Sequence, residues 1–243
     1  MILRFLIYFF LAFLAVGIPT IARVHGNHST SYLVTTLKSL LVNLEPTSIQ
    51  DVIFVVHLAD EAKHEREQLR QQLEIYFEEK IKHGLIHIIE APLSFYPQLK
   101  GLPSTLGDSE GRMYWRAKQT MDFVYLMRYC ENLASYYLHL EDDIKVTTKG
   151  YVGAIKRFID RHSMERWPGL YLSVNGFIGK LFRWEDIDLI CRFLKLFYNE
   201  YPPDLLLKGY VEFILRCKDC VNRFSHKPVL FEHVGKQSSS LGT

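Results

Sequence analysis

Hydrophobic and charged positions alternate along residues 51–90 in a way that predicts two buried strands around one amphipathic helix. Residues 51–58 and 85–90 are nearly continuous apolar runs, which are typical of strands covered on both faces. Residues 60–83 between them are strongly charged but carry apolar residues at four-residue spacing, and Gly84 ends the helix. This order predicts a strand, a crossover helix and a second, parallel strand.

The same two patterns continue over the rest of the chain. They predict strands at 14–20, 136–140, 170–174 and 228–232, and helices at 31–43, 112–131, 148–161, 184–199 and 203–216. Strands and helices in alternation predict an α/β domain with a largely parallel, twisted sheet flanked by helices, whose ligands bind beyond the carboxyl ends of the strands. Residues 91–111 form a long connection rich in Pro, Gly and Ser, which we interpret as a ligand-binding loop.

The first residues of the chain support two interpretations. Arg4 precedes an apolar run over residues 5–18, which is typical of a signal peptide or a short membrane anchor. The run is shorter than the roughly 18 to 20 residues that a membrane-spanning helix needs. Residues 14–20 fit a buried first strand equally well. We assign residues 1–15 to a signal-like or anchor-like segment and residues 16–243 to one domain, and both interpretations stay open where they overlap.

Length and composition favour one globular domain. The chain has 243 residues, of which 48% are hydrophobic and 23% charged, which suffices for a core and excludes a disordered chain. The formal net charge of +2 gives no field that would favour a nucleic-acid partner. The phosphate-binding motifs G-x-G-x-x-G and G-x-x-x-x-G-K are absent, which argues against dinucleotide dehydrogenases and P-loop nucleotidases.

The cysteines do not suggest a metal centre. Cys217 and Cys220 have the spacing of half a zinc site, but the two other cysteines, Cys130 and Cys191, fall in predicted helices. We therefore interpret Cys217-x-x-Cys220 as a local disulfide or as two free thiols.

Three consecutive carboxylates, Glu141-Asp142-Asp143, follow directly on the strand predicted at 136–140. They would repel one another unless a cation or a solvated turn absorbs their charge. Oxygen ligands on one short turn suit Mg²⁺ or Mn²⁺, which keep their other positions for phosphate oxygens and water. The alternative is an acidic turn that caps the helix predicted at 148–161.

Other charged residues lie near predicted element ends. Asp60 follows the strand at 51–58 and is a candidate acceptor of hydrogen bonds from a ribose or a base edge, or else a cap of the next helix. Arg112, Arg116 and Lys118 gather at the end of the long loop, where they would neutralise a diphosphate or form a solvated basic face.

Asp204 and His233 are the remaining candidates. Asp204 follows two prolines and also suits the cap of the helix predicted at 203–216. His233 comes just after the strand predicted at 228–232. Residue type alone leaves a structural and a catalytic role open for both.

Six short blocks follow one another in a specific order. They are Gly17-Ile-Pro-Thr20, Leu106-Gly-Asp-Ser109, Tyr114-Trp-Arg-Ala-Lys-Gln119, Tyr136-Tyr-Leu-His-Leu-Glu-Asp-Asp-Ile144, Gly176-Phe-Ile-Gly-Lys-Leu-Phe182 and Phe231-Glu-His-Val-Gly235. In this order they resemble the N-acetylglucosaminyltransferase IV family, whose members add β-1,4-linked GlcNAc to the α-1,3 mannose arm of N-glycan cores. The resemblance extends over residues 16–242.

The resemblance implies a GT-A type nucleotide-sugar transferase fold, UDP-GlcNAc as donor, and a divalent metal, usually Mn²⁺ with Mg²⁺ as the other option. Glu141-Asp142-Asp143 would be the acidic motif of the family. Asp143 is then the expected metal ligand, and Glu141 and Asp142 are expected to bind the donor. His233 would reach the metal or the diphosphate.

Three further roles follow from the same resemblance. Asp60 would bind the uridine, and Arg116 would face the diphosphate. Asp204 would be the base of an inverting transfer, which takes the proton from the attacking acceptor hydroxyl in a single step.

The chain also departs from the family pattern. It has Tyr171-Leu-Ser-Val-Asn175 where family members carry an acidic residue and a Ser-Gln pair, and Leu205 where they carry Trp. We expect the first change to alter acceptor recognition, so the alternative is a catalytically inactive member that binds a glycan or a partner transferase and regulates it.

The resemblance places the protein at the Golgi membrane, on the lumenal side. Its expected partners are the N-glycans of glycoproteins and other Golgi glycosyltransferases. We expect no C-terminal carbohydrate-binding domain after residue 243.

Overall fold

The computed structural model describes residues 12–25, 28–30, 32–174, 176–218 and 220–235. In chain order the elements are β1 (Ala12–Thr20), β2 (Arg23–His25), β3 (His28–Thr30), α1 (Leu33–Val42), β4 (Val52–Leu58), α2 (Lys63–Lys82), β5 (Ile86–Ile89), α3 (Glu110–Cys130), β6 (Ala134–His139), β7 (Ile144–Val146), α4 (Tyr151–Arg161), β8 (Leu170–Tyr171), β9 (Lys180–Arg183), α5 (Trp184–Leu196), α6 (Pro203–Leu215) and β10 (Phe231–His233). Short 3₁₀ turns lie at Pro46–Asp51, Leu93–Phe95 and Cys220–Phe224.

The main sheet has six strands in the order β5-β4-β1-β6-β9-β8. The first four strands run parallel, and β9 pairs antiparallel with both β6 and β8. β1 is apolar on both faces, and Leu14, Val16 and Ile18 are fully buried, which suits its place inside the sheet. Its register sets Val16 between Phe54 of β4 and Leu138 of β6. The predicted α/β class with a largely parallel, helix-flanked sheet is confirmed.

The long helix α3 has no clear polar face because both of its sides are covered. It contacts β1 and β4 on the sheet as well as α5 and α6. Residues on several sides of its axis are therefore buried, including Met121, Phe123 and Val124. One set of α3 side chains therefore lies on the sheet, and another set faces α5 and α6.

The sequence analysis missed four short strands, which are β2, β3, β7 and β9. β7 and β9 contain only three and four residues, too few for a strand period to be recognised. β10 is also shorter than the strand predicted at 228–232. Helix α4 begins at Tyr151 and not at 148, because Gly150 before it has the left-handed φ of +74° that a right-handed helix cannot include.

The N-terminal residues that the structure describes begin with the first strand. Residues 14–20 are a buried strand, as one interpretation predicted. The strand begins at Ala12, so residues 12–15 belong to the sheet although the predicted boundary placed them in the signal-like or anchor-like segment. Residues 1–11 lie outside the described residues. Among the residues described, no helix is long and apolar enough to span a membrane.

Among the residues that the structure describes, the cysteines belong to no cluster of metal-ligating side chains. Cys217 is disulfide-bonded, so of the two expected states it is not a free thiol. Cys130 on α3 and Cys191 on α5 are free thiols buried in the core. Burial raises the pKa of Cys191 to about 12, so this thiol stays protonated and behaves as an apolar side chain.

Candidate active site

The carboxyl ends of β1, β4 and β6 meet at one edge of the sheet and open into a cleft of about 220 Å³. We call it the donor cleft, after the nucleotide-sugar donor that the sequence resemblance implies, and its far wall is helix α3. Its lining residues are Pro19, Thr20, Ile21, Ala59, Asp60, Glu61, Trp115, Lys118, Gln119, Asp122, Phe123, Glu141 and Asp142. A cleft at this edge is where a parallel α/β sheet usually binds its ligand.

The acidic turn after β6 is held in place by hydroxyl groups from two other elements. The Thr20 hydroxyl at the end of β1 donates a 2.6 Å hydrogen bond to Asp142 Oδ2. The Thr36 hydroxyl of α1 lies 2.7 Å from the carbonyl oxygen of Asp142 and accepts a 3.1 Å hydrogen bond from the Ile144 amide. The turn does not cap α4, because the cap position of that helix is Gly150 and has no side-chain hydrogen bond.

Glu141, Asp143 and His233 form a cluster beside the donor cleft. β10 pairs antiparallel with β7, which sets His233 opposite Ile144 and its Nε2 atom 3.0 Å from Asp143 Oδ2. Each of the three side chains offers one ligand atom, and these atoms all lie within 4.8 Å of one another. Two carboxylates and an imidazole are a donor set that suits Mn²⁺ or Mg²⁺. The residues present therefore fit a divalent cation.

Two glycines let the backbone approach this cluster closely. A Cβ atom on Gly176 would lie 3.1 Å from Glu141 Oε1. A Cβ atom on Gly235 would lie 2.9 Å from Asp143 Cγ and 3.0 Å from His233 Nε2. All three distances are shorter than ordinary van der Waals contacts of a Cβ atom, so the glycines of two recognised sequence blocks have a steric reason to be there.

Asp60 lies in the donor cleft, at the end of β4. Both of its carboxylate oxygens accept the Ala22 amide, at 3.1 and 3.0 Å. Burial raises the pKa of Asp60 to about 6, against the lowering effect of the Ala22 hydrogen bond. The residue does not cap α2, whose cap position is Ala62. Asp60 is thus held by the segment that follows β1, and it lines the cleft.

Lys118 is the member of the predicted basic group that lines the donor cleft. Its Nζ donates to the Ala59 carbonyl at 2.6 Å and to Asp122 Oδ2 at 2.9 Å. Asp122 also accepts a 2.6 Å hydrogen bond from the Tyr96 hydroxyl. Burial raises the pKa of Asp122 to about 6, opposed by the charge of Lys118. This network closes the floor of the cleft.

Arg116 does not line the donor cleft. Its side chain is fully buried, and its guanidinium pairs with Asp108 Oδ2 at 3.2 Å and donates to the Asn199 carbonyl at 3.2 Å. The diphosphate role of Arg116 stays a prediction, and this placement lends it no support. Arg112 packs on the ring of Trp115, 5.4 Å from the ring centroid.

Asp204 is exposed in the first turn of α6 and is not a residue of the cleft wall. The cap position of α6 is Pro202, so Asp204 is not the helix cap that the sequence allowed. Its carboxylate and that of Glu141 both act electrostatically on Lys180.

Lys180 is a site residue that the sequence analysis missed. It lies on β9 opposite His139, is 5% exposed, and holds its Nζ 4.7 Å from the ring centroid of Tyr171. Burial lowers the pKa of Lys180 to about 8, against the opposing effect of Glu141 and Asp204. The signal was present, because this lysine belongs to the block 176–182, but without β9 nothing placed it near the acidic turn. Asn175, just before this block, lies outside the described residues.

Comparison with known proteins gives one consistent set of relatives. The family model described as the MGAT4 conserved region matches residues 11–243. An alpha-1,3-mannosyl-glycoprotein 4-beta-N-acetylglucosaminyltransferase A from Bos taurus is 38% identical over 240 residues, covering 94% of this chain and 44% of the relative. An alpha-1,6-mannosyl-glycoprotein 4-beta-N-acetylglucosaminyltransferase from Gallus gallus is 38% identical over 231 residues, covering 95% and 48%. The chain thus spans less than half the length of these relatives.

Solved structures resemble the chain more distantly. S. aureus TarS, residues 1–349, has a TM-score of 0.39 and 15% identity and covers 79% of this chain and 51% of its own. The 4-diphosphocytidyl-2C-methyl-D-erythritol synthase of Anaerococcus prevotii has a TM-score of 0.44 and 10% identity, covering 82% of both chains.

Proposed function

The chain belongs to the family of the MGAT4 conserved region, and from that membership we propose that it is an N-acetylglucosaminyltransferase that acts on N-glycans. The proposed donor is UDP-GlcNAc and the proposed acceptor is a mannose of the N-glycan core, joined through a β-1,4 linkage with inversion at the anomeric carbon. The names of the bovine and chicken relatives differ in the mannose arm. We propose the α-1,3 arm, which the resemblance of the sequence blocks implies.

The observation that carries the proposal is the position of the Glu141, Asp143 and His233 cluster at the mouth of the donor cleft. Glu141 belongs both to the cluster and to the cleft wall. A nucleoside diphosphate in the cleft would therefore bring its phosphates next to these ligand atoms. We propose that Asp143, His233 and Glu141 hold Mn²⁺ or Mg²⁺. Such a cation would stabilise the negative charge that develops on the diphosphate leaving group.

The chain's own residues then have distinct roles in the proposed reaction. Asp60 accepts a hydrogen bond from the uracil N–H, and Asp142, oriented by Thr20, accepts hydrogen bonds from the ribose or the donor sugar. Asp204 takes the proton of the acceptor hydroxyl. In the same step the hydroxyl oxygen attacks the anomeric carbon of the donor sugar, and the bond from that carbon to UDP breaks. The proposal needs no covalent intermediate.

Location and further partners are proposed from the family alone. We propose the lumenal side of the Golgi membrane as the site of action, because N-glycans are processed there. Contacts with other Golgi glycosyltransferases remain a prediction of the same kind.

The test is transfer of GlcNAc from UDP-GlcNAc to a biantennary N-glycan by the full chain, with Mn²⁺ and with chelator. A β-1,4-linked product that requires the cation supports the proposal, and UDP-GalNAc in parallel measures donor selectivity. Acceptors that lack either mannose arm identify the arm that is modified. Cation-dependent binding of UDP-GlcNAc without product from any acceptor would contradict it and favour the inactive, regulatory family member.

A further inference from the structure

Arg116 connects three segments that are distant in the sequence. It lies on α3, and its guanidinium donates to the Thr105 hydroxyl, pairs with Asp108 Oδ2 at 3.2 Å and donates to the Asn199 carbonyl at 3.2 Å. Its side chain is fully buried, while that of Asp108 is 22% exposed. A buried guanidinium that loses these partners would leave an uncompensated charge, so the contacts hold one another in place.

The partners of Arg116 are also bonded to one another. The Thr105 hydroxyl lies 3.2 Å from the Asn199 carbonyl and 3.0 Å from the Glu200 carbonyl. Further along both segments, the Tyr198 hydroxyl donates a 2.8 Å hydrogen bond to the Gln98 carbonyl. The long loop before α3 and the turn between α5 and α6 are therefore joined by hydrogen bonds at two places, at Thr105 and at Gln98.

The turn that is tied in this way leads directly to Asp204. Pro202 and Pro203 follow Glu200 and Tyr201, and Asp204 lies in the first turn of α6. Two consecutive prolines restrict the backbone between the turn and α6, so a displacement of the turn would also displace the start of the helix. On α3 itself, the neighbouring residues Trp115 and Gln119 line the donor cleft. One helix thus carries both a wall of the cleft and the anchor of the Asp204 turn.

We propose that Arg116 is a positioning residue, which fixes the turn before α6 to helix α3 and so sets the distance between Asp204 and the donor cleft. This inference rests on the proposed function, with Asp204 as the base. It assigns to Arg116 a role in the geometry of proton removal, in place of contact with the donor diphosphate.

The test compares Arg116→Met, Arg116→Lys and Thr105→Val with the unaltered chain, and uses Arg192→Met on the exposed side of α5 as control. The affinity for UDP-GlcNAc in the presence of Mn²⁺ should stay within about twofold. Since a displacement of about 1 Å costs up to about 100-fold in rate, kcat should fall about 10- to 100-fold in Arg116→Met. Guanidinium ion added at millimolar concentration should restore part of the kcat of Arg116→Met, whereas it should not affect Thr105→Val.

Hydrogen exchange supplies a readout that does not depend on activity. Amides in 98–109 and in 197–206 should exchange faster in Arg116→Met and Thr105→Val, with no change at the acidic turn 141–144. Unchanged exchange in both segments would overturn the inference even if the chain proves to be no transferase. If Arg116→Met loses affinity for UDP-GlcNAc but keeps its kcat, the inference is also overturned, and Arg116 would instead contact the donor diphosphate.

Discussion

His233 Nε2 lies 3.0 Å from Asp143 Oδ2, although the two residues are far apart in the sequence. The pairing of β10 with β7 produces this contact, and the Val234 amide donates a 2.8 Å hydrogen bond to the Asp143 carbonyl next to it. Because Glu141 follows the end of the central strand β6, the three side chains converge where the parallel strands end. The proposed cation site therefore depends on a short antiparallel ladder as much as on the parallel sheet.

Replacement of Asp143 should remove cation binding. In Asp143→Ala, the cluster loses the carboxylate that faces both Glu141 and His233, and we expect the Mn²⁺ affinity to fall by at least about 100-fold. Isothermal titration with Mn²⁺, alone and with UDP, measures this directly. Glu232→Gln is the matched control, because Glu232 is also on β10 but pairs with Lys145 on the surface. An unchanged Mn²⁺ affinity of Asp143→Ala would rule out the assignment.

Donor binding should depend on the ionisation of Asp60. The pKa of Asp60 is raised to about 6 by burial, and only the ionised form accepts a hydrogen bond from the uracil N–H on both oxygens. The ionised fraction falls about tenfold between pH 7 and pH 5, so the affinity for uridine should fall by about the same factor. Uridine is the suitable probe because it carries no phosphate and needs no cation.

The control for this titration is Asp60→Asn, which should bind uridine weakly and with no dependence on pH in that range. Chemical shifts of uridine in titrations followed by NMR report the affinity. A pH-independent affinity of the unaltered chain would show that Asp60 does not contact the base.

Asp204→Asn tests the proposed base. The substitution removes the proton acceptor while keeping the shape of the side chain, so kcat should fall by about 100-fold or more, within the range that general bases contribute. The affinity for UDP-GlcNAc should not change, because Asp204 does not line the donor cleft. Asp160→Asn, at an exposed position of α4, serves as control. Near-normal turnover of Asp204→Asn would mean that another group removes the proton.

Gly17→Ala should destabilise the sheet. A Cβ atom on Gly17 would lie 2.6 Å from Cε2 and 2.9 Å from Cζ of Tyr137. Tyr137 is buried and forms a 2.7 Å hydrogen bond with His139 Nδ1, so a movement of the ring would break this hydrogen bond and disturb the packing of the core. We expect the free energy of unfolding to drop by about 1–3 kcal/mol.

Chemical denaturation measures this change, with Gly209→Ala as the matched control. Among the described residues, no atom beyond the adjacent residues and the local helix backbone lies within 4 Å of a Cβ atom built on Gly209 of α6. This substitution should therefore stabilise the protein by up to about 1 kcal/mol through helix propensity. Equal effects of both substitutions would show that the contact of Gly17 with Tyr137 is not tight.

The parallel part of the fold could be predicted from the sequence because it is built from long, strongly patterned segments. Continuous apolar runs and four-residue apolar spacing predicted the β4–α2–β5 unit, in which β4 precedes Asp60. A continuous apolar run also predicted β6, the strand before Glu141. Acidic residues at two strand ends were then expected at one edge of the sheet. The cleft contains both Asp60 and Asp142, as that reasoning required.

The local pattern of apolar and polar residues was enough to predict the fold class and the strand ends that carry the candidate donor-binding carboxylates, because that pattern specifies where strands and helices lie. The distant side chains that join these carboxylates depend on long-range strand pairing. His233 contacts Asp143 through β10, and β9 places Lys180 where the charge of Glu141 acts on it. These strands have only three and four residues, and their pairing is set by partners remote in the chain. Packing also decides that Arg116 does not line the cleft. Both sides of α3 are covered by other elements, so the sequence pattern did not show on which side the Arg116 side chain would lie.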